Sequence, residues 1–337
     1  MDSRTSDRVV NPSNVELLMA AIAGQQATGR FAPSVYVVEP TNRCNVNCVM
    51  CPNSKFDPSA LGDISVESLN RVLTAIAPYS ELCMLYFLGE TTLHPEFSRL
   101  MYAARAALSG RLVLSTNATQ LSEAVVAAIN ETADIVITCV DRWNPIAYER
   151  TRRGSNFENV VRGINELLRG REAGGSPAIL VKMLDIRYPG ESEDVLETEW
   201  RSFEAYWRER GAIPVAGWLN TWAGQFSALT RLSTRPTPYT EAIRSPCADL
   251  WFKMVINWRG EVVLCCHDWS SSIVVGSLHE QHIDEIWHSE RMIALRRDHA
   301  AGRFNCTRLC ATCKEWGEAD ELNAYLRLNE ADLYKVF

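Results

Sequence analysis

Three cysteines stand close together in the segment Glu39–Pro52, which reads EPTNRCNVNCVMCP. Cys44, Cys48 and Cys51 have a Cys-x3-Cys-x2-Cys spacing and follow an apolar run. Thiolates are soft ligands that suit iron–sulfur clusters, and the irons of a cubane lie so close together that one short loop can supply three ligands. The fourth iron then lacks a protein ligand, and an amine-and-carboxylate ligand can chelate it. The spacing therefore predicts a 4Fe–4S cluster with one open iron.

A structural zinc site and a disulfide are the alternatives for these three cysteines. Structural zinc usually takes four ligands in paired Cys-x2-Cys knuckles, and three clustered cysteines cannot pair off among themselves. The context further along the chain favours the cluster.

The segment resembles the signature of the radical S-adenosylmethionine (SAM) superfamily. In that family the cluster holds SAM and reductively cleaves it to a 5'-deoxyadenosyl radical. The resemblance implies SAM and a 4Fe–4S cluster as cofactors. It also implies an external one-electron reductant, such as flavodoxin or ferredoxin, as a partner.

Strand and helix patterns alternate from residue 34 to about residue 220, which predicts parallel strands joined by crossover helices. The predicted strands are Ser34–Val38, Leu82–Leu88, Arg111–Ser115, Asp134–Cys139, Ala178–Leu184 and Ile213–Trp218. The predicted helices are Val66–Ala77, Glu96–Ser109, Glu123–Asn130, Asn156–Arg169 and Glu191–Arg210. Six such units match the open (β/α)6 partial barrel of the radical SAM family, so the fold class is α/β. The cysteine loop follows the first strand, as expected where function gathers at the C-terminal ends of strands.

The end of the second predicted strand is similar to the family's Gly-Gly-Glu-Pro segment, whose backbone and glutamate hold the SAM amine. Here Gly89 and Glu90 match, whereas Leu88 and Thr91 replace the first glycine and the proline. The resemblance assigns Gly89, Glu90 and Thr91 to SAM binding. A carboxylate that starts a helix is the ordinary structural explanation for Glu90.

Three further elements also resemble SAM-binding segments. Ser115 and Asn117 match a Thr-Asn-Gly turn, Asp141 matches a Ser-Ile-Asp segment near the SAM ribose or substrate, and Arg153 matches an Arg-Gly element near the SAM carboxylate. A turn residue, a cap and a solvated charge are the structural alternatives. Because the three elements occur in the expected order after the expected strands, their resemblances support one another.

Tryptophans and amides follow the last predicted barrel strand, where a substrate would lie. Tryptophan faces and amides suit a sugar-like ligand, but Trp218 and Trp222 suit core or inter-domain packing more commonly.

Six of the eleven cysteines lie beyond residue 246, in a segment that resembles the SPASM or shorter twitch domains of radical SAM enzymes. Two four-thiolate clusters need about eight cysteines, so six indicate one auxiliary 4Fe–4S cluster with two residues to spare. The expected ligands are Cys247, Cys265, Cys310 and Cys313. A zinc ribbon on the same four residues is the alternative.

The two spare cysteines are possible alternates, since Cys266 could replace Cys265 and Cys306 is a further substitute. Neighbours on a strand point to opposite faces, so Cys265 and Cys266 should not share one role. Cys266 is then a free thiol that faces either the substrate or the core. Cys83 and Cys139 lie within predicted strands and are expected in the core.

The predicted organisation is an N-terminal extension with a helix over residues 1–33, the partial barrel over 34–227, and the auxiliary-cluster domain over 228–337. A polar linker is expected near residues 228–240. The extension is too short for a separate peptide-binding module.

The composition narrows the class of protein and its cellular compartment further. The chain has 337 residues with 47% hydrophobic content, enough for a substantial core. Cysteines grouped as ligands, rather than spread as a disulfide framework, indicate a reducing cytoplasm. No long apolar run suggests a membrane helix, and a net charge of −7 argues against a nucleic-acid partner.

The expected reaction is hydrogen-atom abstraction from an unactivated substrate carbon. With an auxiliary cluster as electron acceptor, a carbinol would become a ketone, which makes the enzyme a dehydrogenase. With a thiol donor such as Cys266, the stereocentre would be inverted, which makes it an epimerase. The single auxiliary cluster, the compact C-terminal domain and the missing leader-binding module resemble the radical SAM enzymes of aminocyclitol and aminoglycoside biosynthesis. This resemblance implies a sugar or aminocyclitol substrate, with a ribosomal peptide as the alternative. A barrel that has lost activity and serves as a binding module is a further alternative.

Overall fold

The computed structural model describes residues 13–171, 175–232, 244–317 and 321–327. The polar N-terminal stretch before Ser13 lies outside the described residues. So do residues 233–243, which include most of the linker expected near residues 228–240.

A nine-stranded, mostly parallel sheet organises the chain. The strands in chain order are β1 (Val35–Val38), β2 (Asn47–Cys48), β3 (Leu82–Met84), β4 (Arg111–Thr116), β5 (Ile135–Cys139), β6 (Arg152–Arg153), β7 (Ala178–Leu184), β8 (Ile213–Gly217), β9 (Lys253–Ile256), β10 (Glu261–Val263) and β11 (Val274–Ser277). The sheet order is β11-β10-β9-β1-β3-β4-β5-β7-β8, and β2 pairs separately with β6. The six strands from β1 to β8 in this order are parallel, which confirms the predicted α/β fold.

Helices connect these strands. They are α1 (Asn14–Ala23), α2 (Val66–Ile76), α3 (Phe97–Ala107), α4 (Glu123–Thr132), α5 (Pro145–Thr151), α6 (Phe157–Arg169), α7 (Val195–Glu209), α8 (Asp249–Phe252), α9 (Ile283–Trp287), α10 (Glu290–Ala300), α11 (Arg308–Thr312) and α12 (Glu321–Arg327). In α6 the Asn156 side chain caps the first turn, and Val160, Ile164 and Leu167 bury one helical face. Within the described ranges, no helix combines the length and apolar character needed to cross a bilayer.

The second predicted strand ends earlier than expected, at Met84 instead of Leu88. From Leu85 onward, backbone groups bond to side chains instead of to a neighbouring strand. The Leu88 N–H donates to Glu39 Oε1, and the Thr91 hydroxyl donates to the Leu85 carbonyl. The segment therefore leaves the sheet and turns across the end of β1.

The C-terminal cysteine segment continues the same sheet. β9 pairs in parallel with β1, with Val35 opposite Lys253, and β10 and β11 follow in antiparallel pairings. β9 and β10 form a hairpin, and β11 extends the sheet by one further strand. Cys265 follows the end of β10, so both cysteine groups are held by one sheet.

Candidate active site

A cavity of about 280 Å³ lies at the C-terminal ends of the parallel strands. Cys44, Cys48 and Cys51 line it together with residues that follow β3, β4, β5 and β8. Loops from consecutive parallel strands meet at this edge, which explains why segments far apart in the chain share one cavity.

The three cysteines of the first loop lie together, with Cys48 buried and Cys44 and Cys51 half-buried. Burial raises the pKa of Cys48 to about 12 and that of Cys51 to about 11, and it also raises the pKa of Cys44. Neighbouring thiols add to the increase at Cys48 and Cys51, while Arg152 opposes it. Three thiolates this close together need a compensating cation, and a soft iron–sulfur cluster supplies it. The donor set therefore fits the cluster that the spacing predicts.

Gly89 brings the next loop against the cysteine loop. A Cβ atom at this position would lie 2.1 Å from the Thr41 carbonyl oxygen and 2.8 Å from that of Arg43, so no side chain fits. The Glu90 N–H donates to the Arg43 carbonyl at 2.8 Å. This close approach sets Glu90 in the cavity wall.

Glu90 is buried and held by four hydrogen bonds. Its Oε1 accepts from the Thr116 hydroxyl at 2.7 Å and from the Thr92 hydroxyl and N–H at 2.7 and 3.3 Å, and its Oε2 accepts from the Asn117 N–H at 2.6 Å. Burial raises the pKa of Glu90, while these hydrogen bonds oppose the increase. The carboxylate is fixed where it can receive a cationic amine.

Ser115 and Asn117 also line the cavity. The Asn117 amide nitrogen donates to Asn45 Oδ1 at 2.9 Å and lies 3.9 Å from the Cys44 sulfur, which ties the end of β4 to the cysteine loop. Thr91 does not line the cavity but is buried behind it, where its hydroxyl stabilises the loop after β3.

Asp141 and Arg152 form a buried ion pair in the cavity, with Arg152 Nε 2.6 Å from Asp141 Oδ2. Asp141 Oδ1 is buried without a hydrogen-bond partner in the described structure. An unsatisfied buried carboxylate oxygen is costly, which makes Asp141 Oδ1 a candidate acceptor for a polar group of a ligand in the cavity.

Arg153 does not occupy the place expected for the cavity arginine. It is exposed, and Arg152 lies in the cavity instead. The antiparallel pairing of β2 with β6 explains the difference, because it sets Arg152 opposite Cys48 and Arg153 opposite Asn47. Adjacent residues in a strand point to opposite sides, so only one arginine faces the site.

The expected auxiliary ligands also come together. The Cys265 thiol is affected electrostatically by Cys247 and Cys310, and the Cys313 thiol by Cys310. Burial raises the pKa of Cys313 to about 12 and that of Cys247 well above its usual range. Backbone N–H groups point at two of the sulfurs: Gly317 donates to Cys247 at 3.2 Å and Glu315 to Cys313 at 3.4 Å. Half-buried thiols that converge and have amide donors fit an iron–sulfur cluster.

The two spare cysteines occupy different surroundings. Cys266 lies beside His267 and acts electrostatically on the pKa values of His267, Lys253, Tyr86 and Tyr325. It is not among the described residues that line the cavity, whereas Cys139, expected in the core, is.

Cys306 stands beside Cys310, where the side chains of His299, Cys306 and Cys310 place one possible ligand atom each within 4.8 Å of one another. This arrangement keeps Cys306 available as an alternate ligand.

Besides Arg152, two charged residues of the site region have no counterpart among the residues expected from sequence. Lys182 lines the cavity. The signal was present, since a lysine interrupts the otherwise apolar run AILVKML. Glu315 accepts from the Thr221 hydroxyl at 2.6 Å and from the Ala223 N–H at 2.7 Å, which ties the cavity segment to the residues after Cys313. No local pattern indicates that contact.

The tryptophan segment after β8 forms one wall of the cavity. Trp218 and Trp222 both line it, and Trp222 Nε1 donates to the Met50 carbonyl at 2.8 Å within the cysteine loop. The segment therefore packs against the loop and also faces the cavity.

Two family models match the chain. Residues 38–196 match the model for the radical SAM superfamily, and residues 247–314 match SPASM, an iron–sulfur cluster-binding domain. The auxiliary cysteines at 247, 265, 310 and 313 all fall inside the second match.

Curated relatives align over parts of the chain. A tungsten-containing aldehyde ferredoxin oxidoreductase cofactor-modifying protein of Pyrococcus furiosus is 29% identical over 153 residues, covering 44% of this chain. An S-adenosyl-L-methionine-dependent 2-deoxy-scyllo-inosamine dehydrogenase of Niallia circulans is 32% identical over 59 residues, covering 18% of this chain. The aligned segments span 42% and 24% of the relatives' own lengths.

Solved structures share the fold. BtrN in complex with AdoMet and 2-DOIA has a TM-score of 0.56 at 17% identity, covering 84% of this chain and 93% of its own. Streptococcus suis SuiB bound to precursor peptide SuiA has a TM-score of 0.63 at 12% identity, covering 96% and 81%. Native anSMEcpe with bound AdoMet has a TM-score of 0.58 at 13% identity, covering 90% and 96%.

Proposed function

Because the chain belongs to the radical SAM superfamily and carries a SPASM domain, we propose that it oxidises a carbinol of a sugar or aminocyclitol. The observation that supports this most is the connection between the two cysteine groups across one cavity. Glu315, two residues after Cys313, holds the segment that forms the cavity wall opposite Cys44, Cys48 and Cys51.

SAM and a 4Fe–4S cluster are the cofactors of the radical SAM domain, and the SPASM domain carries auxiliary iron–sulfur chemistry. Cys44, Cys48 and Cys51 would hold the first cluster, and Cys247, Cys265, Cys310 and Cys313 a single auxiliary cluster. When bound, these groups supply a radical that takes a hydrogen atom from the substrate and an acceptor for the remaining electron.

The protein residues position the reactants and exclude water. Glu90 would receive the SAM amine, because its carboxylate is already fixed by Thr116 and Asn117. Arg152 would bind the SAM carboxylate, and the unpartnered Asp141 Oδ1 would accept from a hydroxyl group of the ribose or substrate.

A cyclic polyol is favoured as substrate over a peptide by two considerations. The cavity of about 280 Å³ offers aromatic and amide groups at Trp218, Asn220 and Trp222, which suit hydroxyl-rich rings. One relative is a 2-deoxy-scyllo-inosamine dehydrogenase, and oxidation of an aminocyclitol would be the same class of reaction.

Epimerisation is the second candidate, supported by a thiol inside the cavity. It needs a hydrogen donor at the substrate, and Cys139 lines the cavity whereas Cys266 packs beside His267. The structure thus makes Cys139 a donor to test beside Cys266.

The test is anaerobic turnover of reconstituted enzyme with SAM, reductant and a panel that begins with 2-deoxy-scyllo-inosamine, run in deuterated water. A ketone formed together with 5'-deoxyadenosine supports dehydrogenation. The matched variant Cys310→Ser should still cleave SAM but form much less ketone. Recovered substrate with deuterium at an inverted stereocentre, lost in Cys139→Ala or Cys266→Ala, contradicts the dehydrogenase and supports the epimerase.

A further inference from the structure

A lysine enters the cavity from an apolar strand. Lys182 lies in β7 between the buried Val181 and Met183, and it is half-buried and lines the cavity with Asp141 and Arg152. Because its strand neighbours are packed in the core, the accessible part of Lys182 faces the cavity.

Gly217, on the neighbouring strand β8, makes room for this side chain. A Cβ atom at Gly217 would lie 2.2 Å from Lys182 Cε and 2.9 Å from Leu184 Cδ2. Gly217 does not have a positive φ. Glycine is therefore needed here because a side chain would not fit, and not because of its backbone conformation. The side chain of Lys182 therefore passes over Gly217, and the space left by this glycine lets the amine reach the cavity.

Three titratable groups, from β5, the loop after it and β6, act on the amine. Cys139 stands opposite Lys182 in the register of β5 with β7, Asp141 follows β5, and Arg152 belongs to β6. Burial lowers the pKa of Lys182, and Arg152 acts in the same direction, while Cys139 and Asp141 oppose it. A buried amine near a cation gives up its proton more readily than an exposed lysine.

Resting on the proposed function, we propose that Lys182 binds the hydroxyl group of the substrate carbinol and accepts its proton during oxidation. The carbinol C–H hydrogen leaves as an atom to the SAM-derived radical. The O–H proton moves to Lys182 Nζ, one electron leaves to an oxidised iron–sulfur acceptor, and the C–O bond becomes C=O. Asp141 Oδ1 can accept a hydrogen bond from a hydroxyl group, but the charge of this carboxylate is already compensated by Arg152.

The experiment uses the reconstituted holoenzyme and 2-deoxy-scyllo-inosamine deuterated at its carbinol carbons. We expect Lys182→Met to transfer deuterium to 5'-deoxyadenosine as the wild type does. The ratio of ketone to 5'-deoxyadenosine should fall by roughly 100-fold, the lower range for a lost general base. Added ethylamine should restore part of that ratio, which a merely structural lysine would not allow.

Matched variants distinguish the position of the Lys182 amine from the loss of a positive charge. Gly217→Ala keeps the amine but displaces it and should also lower the ratio, whereas Lys55→Met, which removes an exposed lysine, should not. Iron content and binding of radiolabelled SAM are expected to remain at wild-type levels in all three variants. An unchanged ketone ratio in Lys182→Met, with ketone formed by the wild type, overturns the role of Lys182 alone.

If Lys182→Met fails to fold or to bind SAM, the pH dependence of the wild-type enzyme tests the role of Lys182 instead. The ratio of ketone to 5'-deoxyadenosine should rise with pH, with a midpoint below the ordinary lysine pKa of about 10.4, because only the neutral amine accepts a proton. A ratio that stays flat between pH 6 and 9 overturns the inference. Wild-type enzyme that forms no ketone from any polyol overturns the proposed function and the role of Lys182 together.

Discussion

Arg152 donates from Nε to Asp141 Oδ2 at 2.6 Å, and both side chains lie in the wall of the cavity that holds Cys44, Cys48 and Cys51. The carboxylate is fully buried and keeps its second oxygen unpartnered. One contact therefore fixes an arginine and presents a free acceptor in the same place. Removing either partner leaves an uncompensated buried charge.

Arg152→Met should weaken SAM binding by about tenfold or more, equivalent to at least about 1.4 kcal/mol, because a buried cation for the SAM carboxylate is lost. Equilibrium dialysis of reconstituted protein with radiolabelled SAM measures the effect. Arg153→Met is the matched control, since Arg153 is the adjacent but exposed arginine. Equal losses in the two variants would show that the exposed arginine also contributes.

Iron and sulfide content, with Mössbauer spectra, tests the number of clusters. Anaerobically reconstituted wild type should hold about eight irons, and the Cys44/Cys48/Cys51→Ala variant about four. The residual signal should be that of a cubane with four thiolate ligands. A wild type with about four irons and a triple variant with none would mean that the C-terminal cysteines hold zinc or nothing.

Much of the fold and the cysteine sites follows from local sequence. The spacing of Cys44, Cys48 and Cys51 is a property of one loop, and the alternation of strands and helices is local as well, so the predicted α/β barrel is confirmed. The choice between Arg152 and Arg153 is different. It depends on pairing with residues about a hundred positions earlier, and no pattern near the arginines carries that register.

Contacts between distant segments explain the other omissions. Lys182 could be recognised as an unusual residue, but its direction depends on the glycine at position 217 of the next strand. Glu315 reaches Thr221 across 94 positions. Side-chain contacts of this kind become visible only when the sheet has brought the segments together.

The buried carboxyl group of Glu39 should make the stability of the folded protein depend on pH. It is 2% exposed, and its Oε1 and Oε2 accept from the Leu88 and Trp258 N–H groups at 3.2 and 3.3 Å. Burial raises the pKa of Glu39 to about 7, partly opposed by these hydrogen bonds and by Arg259. The folded state thus holds a proton that the unfolded chain releases. The stabilisation is complete below the ordinary value near 4.5 and is lost as pH rises through about 7.

Between pH 5.5 and 8, wild type should lose about 2 kcal/mol of unfolding free energy that Glu39→Gln does not lose, as measured by anaerobic urea titration. The exposed Glu81→Gln serves as the control and should follow the wild type. Parallel slopes for wild type and Glu39→Gln would contradict a raised pKa at Glu39.

Glu315 should determine the rigidity of the cavity wall. Its carboxylate accepts from the Thr221 N–H and hydroxyl and from the Ala223 N–H, and hydrogen bonds to a charged group contribute roughly 1.5–3 kcal/mol each. Glu315→Ala removes all three while the backbone N–H that bonds the Cys313 sulfur remains. The segment carrying Trp222 should then open locally more often.

Hydrogen exchange with mass spectrometry tests this prediction on the peptide that contains residues 219–226. In Glu315→Ala the amides of Thr221 and Ala223 should exchange at least about tenfold faster, corresponding to about 1.4 kcal/mol of lost local stability. Glu280→Ala, which truncates an exposed glutamate near the end of β11, should leave the exchange unchanged. Iron content should remain at the wild-type level in both variants, because neither removes a thiol. Unchanged exchange in Glu315→Ala would mean that packing of Trp222 against the cysteine loop, through its bond to the Met50 carbonyl, is sufficient to hold the wall.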